Sequence, residues 1–409
     1  MPDRSEFDGQ YTTNWDKALA RRTERMRSSI IRELLKYAQQ PDVISFGGGM
    51  PAPELFPVRD FREACDWVLT HIPDQVLQYG TTEGYLPLKE YLVEMMAKYE
   101  LPADTGNILL TNGSQQALDL LGKIFINEGD SIITCRPTYL GAIQAWNVYG
   151  PNYVTVPLDE DGMRMDGLEA ALRAHPGAKF VYVLPNFHNP AGTTLSLERR
   201  YRLVELAAQH GAFIIEDDPY GELRYEGEDL TPIYALHKEN TIYMSTYSKT
   251  LAPGLRLGWI VAPKAVIAKL IHAKQGADLN TSTLVQLVAY DILSRGLIKA
   301  HVKKIRQVYH ERRDVMLNAM AEHFPEEVQW IRPQGGLFLW ARLPKHIDTE
   351  KLLNKALEEK VAFVPGNAFY PDGEDGRWCM RLNFSFSQPA LIEEGIRRLG
   401  HVIKQELGG

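Results

Sequence analysis

Cysteine is scarce in this 409-residue chain. Its three thiols, Cys65, Cys135 and Cys379, stand far apart with no CxxC pair, which argues against a disulfide framework or a cysteine-built zinc site. Basic charge is also lacking. Lys+Arg number 45 and Asp+Glu 52, a formal net charge of −7, so the footprint of a nucleic-acid binder is missing. No run of 18 uncharged apolar residues occurs, and no membrane-spanning helix is expected. The opening residues MPDRSEFDGQ are polar and hold no apolar core of a signal peptide, so a cytoplasmic location is expected. Repeats and low-complexity tracts are absent. What is present is an ordinary globular composition, 44% hydrophobic and 24% charged, in a chain long enough for two or three domains at roughly 100–200 residues each.

The middle of the chain alternates short apolar runs with helical patterns. Strands are predicted over Ile108–Thr111, Ser131–Cys135, Tyr153–Pro157, Phe180–Leu184, Phe213–Glu216, Ile242–Thr246 and Leu257–Ala262. Most are apolar throughout, as strands covered on both faces should be. Ala117, Leu118, Leu121, Ile124 and Phe125 form one helical stripe. Leu203, Val204, Leu206 and Ala207 form another, closed by Gly211. Such alternation predicts an α/β fold with a mostly parallel seven-stranded sheet. From Leu297 the texture changes: a long charged helix to about Phe324, strands at Val328–Ile331, Leu337–Arg342, Val361–Val364 and Met380–Phe386, a helix over Thr349–Glu359, and a last helix from Pro389. This mixed order reads as a smaller α+β domain. The expected division is an arm and helix over 1–55, with the Ile30–Tyr37 helix against the small domain, a large domain over 56–300 and a small one over 301–409.

In open α/β sheets ligands bind beyond the C-terminal strand ends. Here those ends carry Asn112-Gly113-Ser114-Gln115, Arg136-Pro137-Thr138-Tyr139, Asn186-Phe187-His188-Asn189-Pro190, Asp217-Asp218 with Tyr220, and Thr246, Ser248 and Lys249 with Arg256. Singly each has a plainer reading: a helix cap, a core ring, a turn, a solvated acid that could also hold a metal, an exposed lysine. Together, a helix N-terminus, hydroxyls and an arginine suit a phosphate. An aromatic face, a carboxylate and an amide suit a flat heteroaromatic ring. A lysine able to bond an aldehyde lies among them.

The run Thr246-Tyr247-Ser248-Lys249-Thr250-Leu251-Ala252-Pro253-Gly254-Leu255-Arg256-Leu257-Gly258 resembles the lysine motif of the fold-type I, pyridoxal phosphate-dependent aminotransferases of class I/II. The segments GSQQALDL, RPTY, NFHNPAG, EDDPY and MRLNFSF occur around it in that family's order. ISFGGGMPAPELFP from Ile44 and QYGTTEGYLPL from Gln78 are similar to the 2-aminoadipate/kynurenine aminotransferase subgroup and to the aminotransferase-like part of MocR-type regulators. About forty residues precede ISFGGG, too few for the winged-helix domain such regulators carry.

The resemblance implies pyridoxal 5'-phosphate joined to Lys249, with Asp217 on the pyridine nitrogen. Asp217 is preferred to Asp218 because the family's Asp-x-x-Tyr spacing ends on Tyr220. Asn189 and Tyr220 would bond the ring's 3-oxygen and Tyr139 would stack on the ring. Ser114, Gln115, Thr246, Ser248 and Arg256 would hold the phosphate. Arg381 would clamp the substrate α-carboxylate, a bidentate task that suits arginine. Gly48 and its glycine neighbours would line the substrate entrance. Tyr79 would reach the phosphate of a neighbouring subunit in a homodimer with shared active sites. Arg32 could read a distal carboxylate. No metal is expected. The expected activity is ping-pong transfer of the amino group of 2-aminoadipate, an aromatic or a branched-chain amino acid to a 2-oxo acid such as 2-oxoglutarate. A lyase or decarboxylase using the same cofactor, or a non-catalytic ligand-sensing module, stays as the alternative. A nucleotide-dependent oxidoreductase is disfavoured, since no GxGxxG follows a strand.

Overall fold

The computed structural model describes residues 13–26, 42–97 and 103–408. The helix expected over Ile30–Tyr37, and Arg32 on it, lie outside the described residues. In chain order the main elements begin with β1 (Ile44–Ser45), α1 (Val58–His71), α2 (Leu86–Ala97), β2 (Ile108–Thr111) and α3 (Gly113–Phe125). Next come β3 (Ser131–Arg136), α4 (Leu140–Asn147), β4 (Asn152–Asp159), β5 (Gly162–Met163), α5 (Met165–Ala174), β6 (Phe180–Val183) and α6 (Leu197–His210). β7 (Phe213–Asp217), β8 (Thr241–Thr246) and β9 (Gly258–Val261) complete the central sheet, followed by α7 (Lys264–Gln275), α8 (Thr283–Ser294) and the 27-residue α9 (Leu297–His323). The last third adds β10 (Gln329–Trp330), β11 (Phe338–Arg342), α10 (Thr349–Glu358), β12 (Val361–Ala362), β13 (Val364–Pro365), β14 (Cys379–Asn383) and α11 (Pro389–Gly408).

The central sheet runs β2-β9-β8-β7-β6-β3-β4-β5. Its middle, from β4 through β3, β6 and β7 to β8, is parallel, while β9 runs antiparallel to β8 and β2. The seven predicted strands are all present, Ile108–Thr111 unchanged and the others with ends moved by one or two residues. The eighth, β5, is a two-residue hairpin return on β4, too short to leave a period in the sequence. The run predicted as one strand over Val361–Val364 divides in two: β12 pairs with β1, and β13 pairs with β14 in a four-stranded antiparallel sheet β10-β11-β14-β13.

Period-2 alternation sorts the sheet's faces. Tyr182, Ile215, Met244 and Ile260 point to one buried layer, with α3 against it. Val181, Val183 and Ile214 point to a second, and Tyr243, Trp259 and Val261 to a third on that same reverse face. α6 stops where predicted, because Gly211 takes a left-handed φ of 68° that lets the chain turn back to β7. On α9, Val302, Ile305, Tyr309, Arg312 and Met316 recur every three or four residues on the buried side.

Candidate active site

The phosphate-type cradle grows from the end of β2. Gly113 opens α3 with φ 72°, and a Cβ there would lie 2.5 Å from Arg256 Nη2, so glycine is what lets the guanidinium approach the helix start. Arg256 Nη2 donates to Asn112 O at 3.4 Å and Nη1 to Ser248 Oγ at 3.3 Å. Ser248 Oγ lies 2.9 Å from Thr246 Oγ1, which also accepts the Ser248 N–H at 3.1 Å. Ser114 Oγ is buried without a hydrogen-bond partner. Gln115 instead spends its side-chain amide on Gly141 O, at 2.9 Å. Behind the cradle, the fully buried Lys274 bonds Asp278 and Gln116 at 2.8 Å, and Asp278 accepts from Asn112 Nδ2 at 2.5 Å, which fixes the residue preceding Gly113.

The next layer suits a flat ring. Alternation along β7 turns Asp217 toward the same side as Tyr182, while Asp218 faces away. Asp217 Oδ2 accepts the Tyr182 hydroxyl at 2.7 Å, and Oδ1 is buried with no partner. Burial pushes the Asp217 carboxyl up to about 7. Asp218 accepts from Asn186 Nδ2 at 2.9 Å on the other side of the strand. Tyr139 precedes α4, and burial pushes its phenol up to about 12. Asn189 Nδ2 donates to the Tyr220 hydroxyl at 3.4 Å, and Tyr220 sits edge-on to Phe338.

Lys249 Nζ donates to Gly49 O at 2.7 Å. Burial, then the charges of Arg381 and Arg256, bring its ammonium down to about 8, so a neutral amine is accessible near neutral pH. Arg381 lies on β14, buried between Phe338 and Phe369 with its Cζ 4.2 and 5.0 Å from their ring centroids. It donates to Asn189 Oδ1 at 2.9 Å and Gly47 O at 2.8 Å, while its Nε has no partner. Gly48 stands between the two glycines whose carbonyls those cations hold.

One sequence-selected residue stands apart from this cluster. Tyr79 is 78% exposed, and its hydroxyl has no partner among the described residues. Arg32 lies outside them. Tyr182, Phe338, Phe369 and the Lys274–Asp278 pair were not singled out from the sequence. For Tyr182 the usable signal is its place on β6, on the same face as the strand-end acid; the others carry no local mark.

A sequence profile for aminotransferase class I and II matches residues 42–399. The chain belongs to that family. It is a transaminase with the fold-type I architecture. The chain is 47% identical over 402 residues to aromatic-amino-acid aminotransferase 1 of Thermococcus litoralis, covering 97% of this chain and 96% of that one. The crystal structure of alpha-aminoadipate aminotransferase LysN from Thermus thermophilus, complexed with N-(5'-phosphopyridoxyl)-L-leucine, superposes with a TM-score of 0.91 at 39% identity, over 97% of this chain and 100% of that one. Kynurenine aminotransferase of Pyrococcus horikoshii superposes with a TM-score of 0.92 at 43% identity, over 96% of this chain and 98% of that one. The family works with pyridoxal phosphate, and the residues present fit that group. An unpaired buried carboxylate oxygen suits a pyridinium N–H, an unpaired hydroxyl at a helix start suits a phosphate, and an amine of lowered basicity suits an aldehyde.

Proposed function

We propose that this transaminase moves the amino group of an aromatic amino acid, 2-aminoadipate or a branched-chain amino acid to a 2-oxo acid such as 2-oxoglutarate, in two half-reactions. The observation that carries the reading is a buried arginine, its Nε unspent among the described residues, beside a half-buried amine: Arg381 and Lys249, joined through the Gly47–Gly49 loop.

Pyridoxal phosphate bound here would supply the aldehyde that carries the nitrogen and a ring that draws electrons from the substrate Cα. Ser114, Gln115, Thr246, Ser248 and Arg256 would hold the phosphate, in part through the N–H groups at the start of α3. Asp217 would keep a proton on the ring nitrogen. Asn189 and Tyr220 would bond the ring oxygen, and Tyr139 would cover the ring face. Arg381 binds the α-carboxylate, which orients the Cα–H bond toward Lys249. Phe338 and Phe369 keep water from that pairing, so the charged hydrogen bonds act at full strength. Lys249, as a neutral amine of lowered basicity, is placed to take the proton from the substrate Cα and to give it up again on the same face, as general acid and base.

Two further readings belong to this proposal. The chain acts as a homodimer in which Tyr79, projecting from its own surface, reaches the phosphate of the partner, in the cytoplasm. Residues 56–300 form the cofactor domain and 301–409 the domain bearing Arg381, with the arm of 1–55 against the latter. The test is a panel of amino acids with 2-oxoglutarate, read as glutamate formed. Activity on an aromatic, aminoadipate or branched-chain donor supports the reading. Carbon dioxide or an eliminated β-substituent in place of glutamate would replace it with a decarboxylase or lyase.

A further inference from the structure

Behind β8, which leads to Lys249, lies a cavity of about 690 Å3 that shares only Thr246 with the cradle described above. It opens between α2, the start of α9 and the reverse face of β8, and side-chain alternation keeps it apart from the active site. Thr246 and Ser248 bond to each other on the cofactor side, whereas Tyr247 between them packs into the reverse apolar layer. Asp217 and Asp218 divide in the same way.

The deep wall is aromatic. Tyr247 and Trp259 stand with ring centroids 4.9 Å apart, each 3% exposed. The Tyr247 hydroxyl and the Trp259 Nε1–H are both buried without a hydrogen-bond partner among the described residues. Two orphaned donors on this aromatic wall each forgo a bond that a ligand's acceptor could restore. Burial holds the Tyr247 phenol well above its ordinary value, so it stays a donor.

The mouth has the opposite chemistry. Glu222 is engaged by Arg306, with Nη2 3.7 Å from Oε2. That leaves Lys299 and Lys303, one turn apart on α9 and without ion-pair partners among the described residues, against the single carboxylate of Glu94. The cavity's three acids and three bases balance, but at this rim the two lysines outnumber Glu94, while Asp218, accepting from Asn186 and Tyr243, lies toward the end of β7. A carboxylate at the deep end would be desolvated beside Asp218. A neutral acceptor belongs inside and the anion at the rim.

We propose that this cavity is a second binding site, for an aromatic carboxylate that carries a neutral oxygen acceptor at the far end of its ring. The ring lies against Tyr247 and Trp259, the oxygen accepts from their donors, and the carboxylate meets Lys299 and Lys303. The site is independent of the substrate clamp at Arg381 and stands whether or not the transamination reading holds.

The test titrates 3-(4-hydroxyphenyl)propionate calorimetrically into the holoenzyme, as wild type and as Arg381→Ala. A site that survives Arg381→Ala with unchanged affinity is expected. It should weaken about tenfold in Trp259→Phe and in Lys303→Glu, the effect of losing one hydrogen bond or charge contact. 3-Phenylpropionate, lacking the acceptor, should bind more weakly, and tyramine, with an ammonium for the carboxylate, should not bind. Binding lost in Arg381→Ala, binding unchanged in both cavity variants, or tyramine preferred over the acid would each overturn the proposal. Lys303 is exposed, so Lys303→Glu tests the site without burdening the fold.

Discussion

Replacing Asp217 with asparagine keeps its shape and removes its charge, which makes it the sharpest probe of the site. The carboxyl is buried, and burial, opposed by the Tyr182 bond and reinforced by the Asp218 charge, pushes it up to about 7. Its folded value thus lies above the unfolded value of about 3.9. The folded chain holds the extra proton, so cofactor-free stability should fall as pH rises from about 4 to about 7. The three-unit shift amounts to on the order of 4 kcal/mol at 1.36 kcal/mol per unit. Glu216, also pushed up to about 7 by burial, adds a slope of the same sign, so the contrast with the variant isolates Asp217. Cofactor-free Asp217→Asn should therefore lose less stability than wild type between pH 4 and 8 in thermal melts. A cation on the unpaired Oδ1 reverses the effect, so cofactor-bound wild type should be flatter than the cofactor-free form. In turnover, the lost charge-assisted hydrogen bond costs about 1.5–3 kcal/mol. That is roughly 10- to 150-fold in kcat. Asp218→Asn faces away and should stay within about threefold, under 0.7 kcal/mol of barrier. Stopped-flow single-turnover rates decide the point. Equal losses in the two variants, or melts of wild type and Asp217→Asn that run parallel with pH, would refute the assignment.

Lys249→Ala should fold and still take up pyridoxal phosphate, yet lose on the order of 10³-fold in turnover, the worth of a placed acid–base group. Borohydride reduction followed by peptide mapping should mark Lys249 in wild type, and a label elsewhere would end the reading. Tyr79→Phe should be impaired alone, and mixing it with Lys249→Ala should restore some activity through hybrid dimers; an active monomer in sedimentation would exclude shared sites. Arg32→Ala should lower kcat/KM for glutamate by about 1.5–3 kcal/mol while leucine and phenylalanine are spared. A uniform fall across the three would make Arg32 structural.

The central sheet was legible because its strands are buried on both faces and read as unbroken apolar runs, as at Ile108–Thr111 and Phe180–Val183. α8 was not, since Leu287, Val288, Ala289, Ile292 and Leu293 are buried together and leave no clean polar stripe to betray a helical period. β1, β5 and β12 have two residues each, and only their partners make them strands. In the site, Lys249, Asp217, Asn189 and Arg256 follow strand ends and could be found by position. The choice of Asp217 over Asp218 came from the Asp-x-x-Tyr spacing; at the end of β7 the two acids turn to different partners, Tyr182 and Asn186. Phe338 and Phe369 were not found, because an aromatic that sandwiches an arginine looks in sequence like any core ring. Lys274 and Asp278 met Asn112 only through tertiary contact, far from it along the chain.

The pairing of β1 with β12 has a consequence for how the protein is made. The cradle residues Ser114 to Arg256 lie in one continuous stretch, whereas Ser45 meets its partner Ala362 only after most of the chain has been synthesised. The Asn383 N–H donates to Phe46 O, and Arg381 holds Gly47 O, so the glycine loop is tethered by the last strand as well. Contacts of such long sequence separation are costly to close and form late. A refolding chain should accordingly protect the amides of β6, β7 and β8 before those of Ile44 and Phe46, which pulse-labelled hydrogen exchange can order in time. Early protection of Ile44 and Phe46 would contradict this. The expected order gives a refolding chain whose central sheet is formed before the glycine loop is tied to the last strand.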